Sequence, residues 1–137
     1  LIAACKSVGM TVLLVSGGFT FFAERVQARL GIDVVRANVL EIHHGALTGG
    51  LVTQAWGDIC DGAEKRRTVL QTCQRLGISP GQAIAMGDGA NDLPMMQACA
   101  DAGGLSVAYH AKPKVREQAM VSIETGGLDR LLEVVRV

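Results

Sequence analysis

The run Ala83-Ile84-Ala85-Met86-Gly87-Asp88-Gly89-Ala90-Asn91-Asp92-Leu93-Pro94-Met95 constrains this 137-residue chain more than any other segment. Ala83–Met86 is a short apolar run bounded by turn residues, which predicts a buried strand. It runs into a glycine-flanked Asp-x-x-x-Asp that opens a predicted helix over Asn91–Ala100. A strand, a tight acidic turn and a helix in that order put two carboxylates at the carboxyl edge of a parallel sheet, where open α/β folds carry their chemistry. Paired acids there suit a hard divalent cation, and Gly87 and Gly89 let the backbone pass close to it.

The rest of the chain supports an α/β fold. Leu1–Val8 has helical apolar spacing and stops at Gly9, and Met10–Val15 is a continuous apolar strand ending at Ser16-Gly17-Gly18. Further expected elements are a helix over Phe19–Leu30, a strand over Ile32–Val35, and a β-hairpin flap over about residues 38–52 with turns at His43-His44-Gly45 and Thr48-Gly49-Gly50. A helix over Asp61–Leu76 follows, and Ser79-Pro80-Gly81 turns the chain into the strand at Ala83. Beyond the acidic run come a strand at Leu105–Ala108, a helix over Lys112–Met120, a strand at Val121–Ile123 and a last helix over Leu128–Val135. Strands alternating with helices imply a parallel sheet. The whole of 1–137 is read as one layered α/β domain carrying the hairpin.

Composition sets limits. The chain is 49% hydrophobic and 19% charged, which fits a globular protein, and its net charge of zero argues against nucleic acid or a membrane surface as partner. No apolar run reaches membrane-span length. Cys5, Cys60, Cys73 and Cys99 have neither C-x-x-C nor metal-site spacing and read as reduced, half-buried thiols of a cytoplasmic protein. The opening Leu1-Ile2-Ala3-Ala4 lacks an initiator Met and points to a piece of a longer polypeptide. His43-His44 resembles a metal pair, yet alternation along a strand would turn the two rings to opposite faces.

Three segments carry candidate chemistry. Ser16-Gly17-Gly18, which follows a strand and opens a predicted helix, offers a hydroxyl and unpaired N–H groups suited to phosphate, although alone it reads rather as an ordinary strand-to-helix turn with a serine cap. Lys65 opens a helix, where by itself a lysine is an ordinary solvated residue. Asp88 and Asp92 are the strongest candidates of the three.

Taken together, Val15-Ser16-Gly17-Gly18-Phe19-Thr20, Lys65 and Gly87-Asp88-Gly89-Ala90-Asn91-Asp92-Leu93-Pro94-Met95 resemble the second, third and fourth motifs of the haloacid-dehalogenase superfamily, most closely its phosphoserine phosphatases. Ala37-Asn38, Gly57-Asp58-Ile59 and Ala108-Tyr109-His110-Ala111-Lys112-Pro113-Lys114-Val115 extend the resemblance over essentially the whole chain. It implies a Rossmann-like three-layer core and Mg²⁺-dependent hydrolysis of a small phosphorylated metabolite, phosphoserine. It further implies that Ser16 and the Gly17 N–H bind the phosphoryl group, Lys65 neutralises it, Asp88 ligates Mg²⁺, Asn91 contacts phosphate or substrate, and Asp92 supports Lys65 and the metal's surroundings. The family's Asp-x-Asp-x-Thr motif, which supplies the nucleophile, does not occur in this sequence. The chain therefore reads as a catalytically incomplete portion without the first strand and the helical cap. Two alternatives stand beside this one: a phosphatase for another small phosphometabolite, and a non-catalytic Mg²⁺- or phosphate-binding module that needs a partner chain. An exposed sheet edge would also permit self-association.

Overall fold

A computed structural model describes residues 1–136. The chain forms two compact units, Ile2–Asp61 and Gly62–Val137 with Leu1.

In the first unit, helix α1 (Ile2–Ser7) precedes strand β1 (Leu13–Phe19), helix α2 (Thr20–Leu30), strand β2 (Val34–Asn38) and the hairpin β3 (Leu40–His43) and β4 (Ala46–Leu51). Strands β1 and β2 are parallel, with Leu13 opposite Val34 and Val15 opposite Arg36. Their register then shifts before resuming at Phe19 opposite Asn38. Helix α2 stops at Gly31, whose left-handed backbone (φ 71°) lets its N–H bond back to the Gln27 carbonyl. The expected flap is the antiparallel pair β3–β4, closed by His44 and Gly45 with φ of 50° and 76°. Two successive left-handed residues match the right-handed twist of hairpin strands. That backbone also takes His44 out of the strand pattern, so its ring meets that of His43 edge-on at 4.0 Å, contrary to the opposite-face expectation.

The second unit contains helix α3 (Gly62–Leu76), strand β5 (Ile84–Gly87), helix α4 (Leu93–Asp101), strand β6 (Leu105–Tyr109), helix α5 (Pro113–Gln118), strand β7 (Val121–Ile123) and helix α6 (Leu131–Val134). Its three strands form a parallel sheet in the order β5-β6-β7, joined by helical crossovers as the alternating pattern requires. Strand β6 lies in the middle, and its Val107 and Ala108 are fully buried. Val107, Ile123 and Leu131 form a core cluster against Leu1, Ile84, Met86, Leu105, Tyr109, Val121 and Val135. Helix α4 packs on β5, β6 and α3, burying Met95, Met96 and Cys99.

The expected helix at Asn91 begins instead as a 3-10 turn over Ala90–Asp92, with regular α-helix from Leu93. The four cysteines are free and all buried rather than half-buried. Burial pushes the Cys99 thiol up to about 11, with the nearby Cys73 adding to the effect, so this thiol stays protonated at neutral pH. Among the described residues no helix is long and apolar enough to cross a membrane.

Met96, 2% exposed, fills the α4 layer, and its truncation leaves a cavity that close-packed neighbours refill only in part. Met96→Ala is expected to lower unfolding free energy by about 2–5 kcal/mol. Urea denaturation checks this as a lower midpoint with an unchanged slope.

Candidate active site

The acidic turn after β5 is organised by one side chain. Asp92 folds back over its own turn, and its Oδ2 accepts the backbone N–H of Asp88 at 3.0 Å and of Gly89 at 3.1 Å. Its Oδ1 accepts a hydrogen bond from Lys65 Nζ of α3 at 2.7 Å, with both side chains 7% exposed. This back-folding requires glycine at 87, since a Cβ there would lie 2.3 Å from the Asp92 Cβ. Gly62 meets a similar demand: a Cβ would stand 2.9 Å from the Asn91 carbonyl oxygen, so its absence lets the start of α3 approach the turn.

The electrostatics of Asp92 are a balance. Burial, the largest single influence, would raise its pKa, but the Lys65 ammonium and the Gly89 and Asp88 N–H groups together outweigh it and hold the carboxyl below its ordinary value. Asp92 is therefore an ionised, buried acceptor that already takes three hydrogen bonds on its two oxygens. Asp88 is its opposite. Among the described residues its exposed carboxylate has no protein hydrogen-bond partner, while its backbone carbonyl is fixed by the Lys112 N–H at 3.1 Å. Asn91 is exposed in the same turn.

Lys65, Asp88, Asn91 and Asp92 thus come together, but only Asp88 is free to meet a cation. No group of three or more His, Cys, Asp or Glu side chains among the described residues is placed to hold a metal. A single open carboxylate nevertheless fits Mg²⁺, which keeps several waters and takes one or two carboxylates together with substrate phosphate oxygens.

In the first unit, Ser16 and Gly17 do not open a helix as expected. They lie within β1, and α2 starts only at Thr20, after an N-cap Phe19 that makes no side-chain cap. Ser16 Oγ instead accepts the Gly18 N–H at 3.0 Å. Asn38, 4% exposed, donates from Nδ2 to the Gly17 carbonyl at 3.0 Å and accepts the Cys60 N–H at 2.7 Å on Oδ1. Pattern reading assigned Asn38 no role. Its sequence signal was the Ala37-Asn38 match within the family resemblance, which carries no role for the amide.

Removing one partner of the buried pair strands the other charge. Lys65→Met and Asp92→Asn are each expected to cost about 3–5 kcal/mol of stability. Because the folded-state pKa of Asp92 is depressed, its ionisation stabilises the fold fully above the ordinary carboxylate value near 3.8. That contribution shrinks as pH falls towards the lower folded-state value and is gone below it. Unfolding free energy measured against pH should fall more steeply on the acid side for the wild type than for Asp92→Asn.

Residues 1–97 match the family profile of the haloacid dehalogenase-like hydrolases. The chain is 68% identical over 136 residues to a phosphoserine phosphatase of Polaromonas sp., a match covering 99% of this chain and 56% of that protein. It is 67% identical to one of Albidiferax ferrireducens, covering 98% and 55%. It therefore spans about half the length of these curated relatives. Among solved structures it resembles a probable phosphoserine phosphatase of Vibrio cholerae, with TM-score 0.85, 37% identity and coverage of 96% of this chain and 38% of that one. A phospho-aspartyl intermediate analogue of a phosphoserine phosphatase aligns with TM-score 0.87, 32% identity and coverage of 98% and 61%. The buried lysine–aspartate pair, the open carboxylate beside it and these matches agree: the chain belongs to the haloacid dehalogenase-like hydrolase family.

Proposed function

We propose that this chain is the part of a Mg²⁺-dependent phosphoserine phosphatase that binds and neutralises the phosphoryl group. The observation that carries the reading is the division of labour between two neighbouring acids: Asp92 is consumed by Lys65 and two backbone N–H groups, whereas Asp88 is left open to solvent. Phosphoryl transfer asks for positioning and positive charge around the equatorial oxygens. Lys65 spends one donor on Asp92 and keeps others for phosphoryl oxygens. Asp88 would hold Mg²⁺, which when bound neutralises phosphoryl charge. Asn91 contacts phosphate or substrate, and in the other unit the Ser16 hydroxyl and Gly17 N–H are phosphoryl donors.

The nucleophile comes from residues outside these 137, since the sequence contains no Asp-x-Asp, and this chain alone is catalytically incomplete. High identity to proteins named phosphoserine phosphatases supports phosphoserine as substrate. Four free, buried cysteines support a reducing compartment, the cytoplasm. β1 is laddered only to β2, and β5 only to β6, among the described residues. Each therefore has an edge able to pair with a further strand, and the isolated chain self-associates through such edges.

The test is Mg²⁺-dependent release of inorganic phosphate from O-phosphoserine by the intact protein that carries this chain. Release is expected, with Asp88→Asn lowering kcat by about 10²–10³-fold, the scale of losing one charge-stabilising group, and with none from residues 1–137 alone. No release by the intact protein contradicts the reading. Light scattering on the isolated chain should show mass rising with concentration, and a concentration-independent monomer contradicts the self-association.

A further inference from the structure

We infer that Asn38 is a positioning residue that aims the Ser16 hydroxyl through a relay of three hydrogen bonds. This rests on the reading of Ser16 as a phosphoryl donor. The relay begins at the Cys60 N–H, which donates to Asn38 Oδ1 at 2.7 Å and thereby settles which end of the amide is oxygen. Nδ2 must then face the Gly17 carbonyl, which it does at 3.0 Å.

That carbonyl belongs to the same rigid peptide unit as the Gly18 N–H, and in a trans peptide the two point in opposite directions. Holding the carbonyl therefore sets the direction of the N–H. The Gly18 N–H donates to Ser16 Oγ at 3.0 Å. With an Oγ lone pair taken, the side chain is held in place, and its O–H, which donates to no group among the described residues, is left for an incoming oxygen anion.

Two further observations fit the relay. The β1–β2 register shifts between Val15 and Phe19, in the segment where the Asn38 side chain holds the Gly17 carbonyl. A Cβ at residue 18 would lie 3.1 Å from Ser16 Oγ, so glycine there leaves room for the serine to fold back. Asn38 is 4% exposed, with both ends of its amide satisfied, so it does not itself meet a ligand. Asp at 38 keeps the acceptor for Cys60 but sets an oxygen against the Gly17 carbonyl, which breaks the second link.

The experiment is a double-mutant cycle on kcat in the intact protein, with amide exchange of Gly18 read by NMR. Ser16→Ala should lower kcat by about 10²-fold and Asn38→Asp by about tenfold, the scale of losing and of misaiming one transition-state donor. The double variant should be no slower than Ser16→Ala, because Asn38 acts only through that hydroxyl. Gly18 exchange should quicken in both single variants. Losses that multiply, or Gly18 exchange left unchanged by Asn38→Asp, overturn the relay.

If Asn38→Asp fails to fold, Gly18→Ala takes its place. That variant crowds Ser16 Oγ and should lower kcat in the Ser16 background but not in the Ser16→Ala background. An unchanged kcat overturns the proposal. If the intact wild type releases no phosphate, the functional reading fails, and Gly18 exchange in Ser16→Ala still decides whether the last link exists.

Discussion

The second unit is arranged around a buried ion pair. Lys65 and Asp92 come from elements far apart in sequence, meet at 2.7 Å and are almost entirely shielded from water. Desolvating two such charges costs several kcal/mol per ion, and the attraction offsets this only when geometry is good and the remaining lone pairs are satisfied. Here the two N–H groups of the acidic turn complete the carboxylate. Well-packed apolar side chains often stabilise a fold as much as a buried pair does, so packing alone gives little reason to keep one. A lysine bonded to the acidic turn that follows a parallel strand, beside an open carboxylate, has a chemical reason to be there.

The same device recurs in the first unit. In the acidic turn Asp92 folds back over Gly87, where a Cβ would lie at 2.3 Å from its own. In strand β1, Ser16 folds back over Gly18, where a Cβ would lie at 3.1 Å from Oγ. Each glycine makes room for a polar side chain to bond a nearby backbone N–H. Asp92 and Ser16 are thereby each bonded to backbone N–H groups a few residues away in sequence.

Lys65 by itself read as a solvated residue and was singled out only by the family resemblance. The positions of Asp88 and Asp92 were legible in the sequence because an apolar strand, a Gly-Asp-Gly turn and a helix leave few places for the carboxylates to go. The parallel β5–β6–β7 sheet was legible for the same reason: its apolar runs are short, continuous and punctuated by glycine. Ser16 was placed at a helix start because Gly17-Gly18 looks like a chain break. The chain stays extended to Phe19 because Asn38, 21 residues from Gly17, holds its carbonyl. No local pattern shows a contact of that span. The start of α4 differed on similar grounds: the back-folded Asp92 side chain tightens Ala90–Asp92 into a 3-10 turn before the α-helix begins. At His43-His44 the alternation rule failed because the left-handed backbone of His44 belongs to the turn.

The central claim is that Asp88 is the open metal ligand while Asp92 is a committed partner of Lys65. Calorimetric titration of Mg²⁺ into the intact protein tests it most directly, because it reads binding without turnover. The account predicts that the binding heat disappears in Asp88→Asn. Mg²⁺ affinity in Asp88→Asn equal to that of the wild type would contradict it.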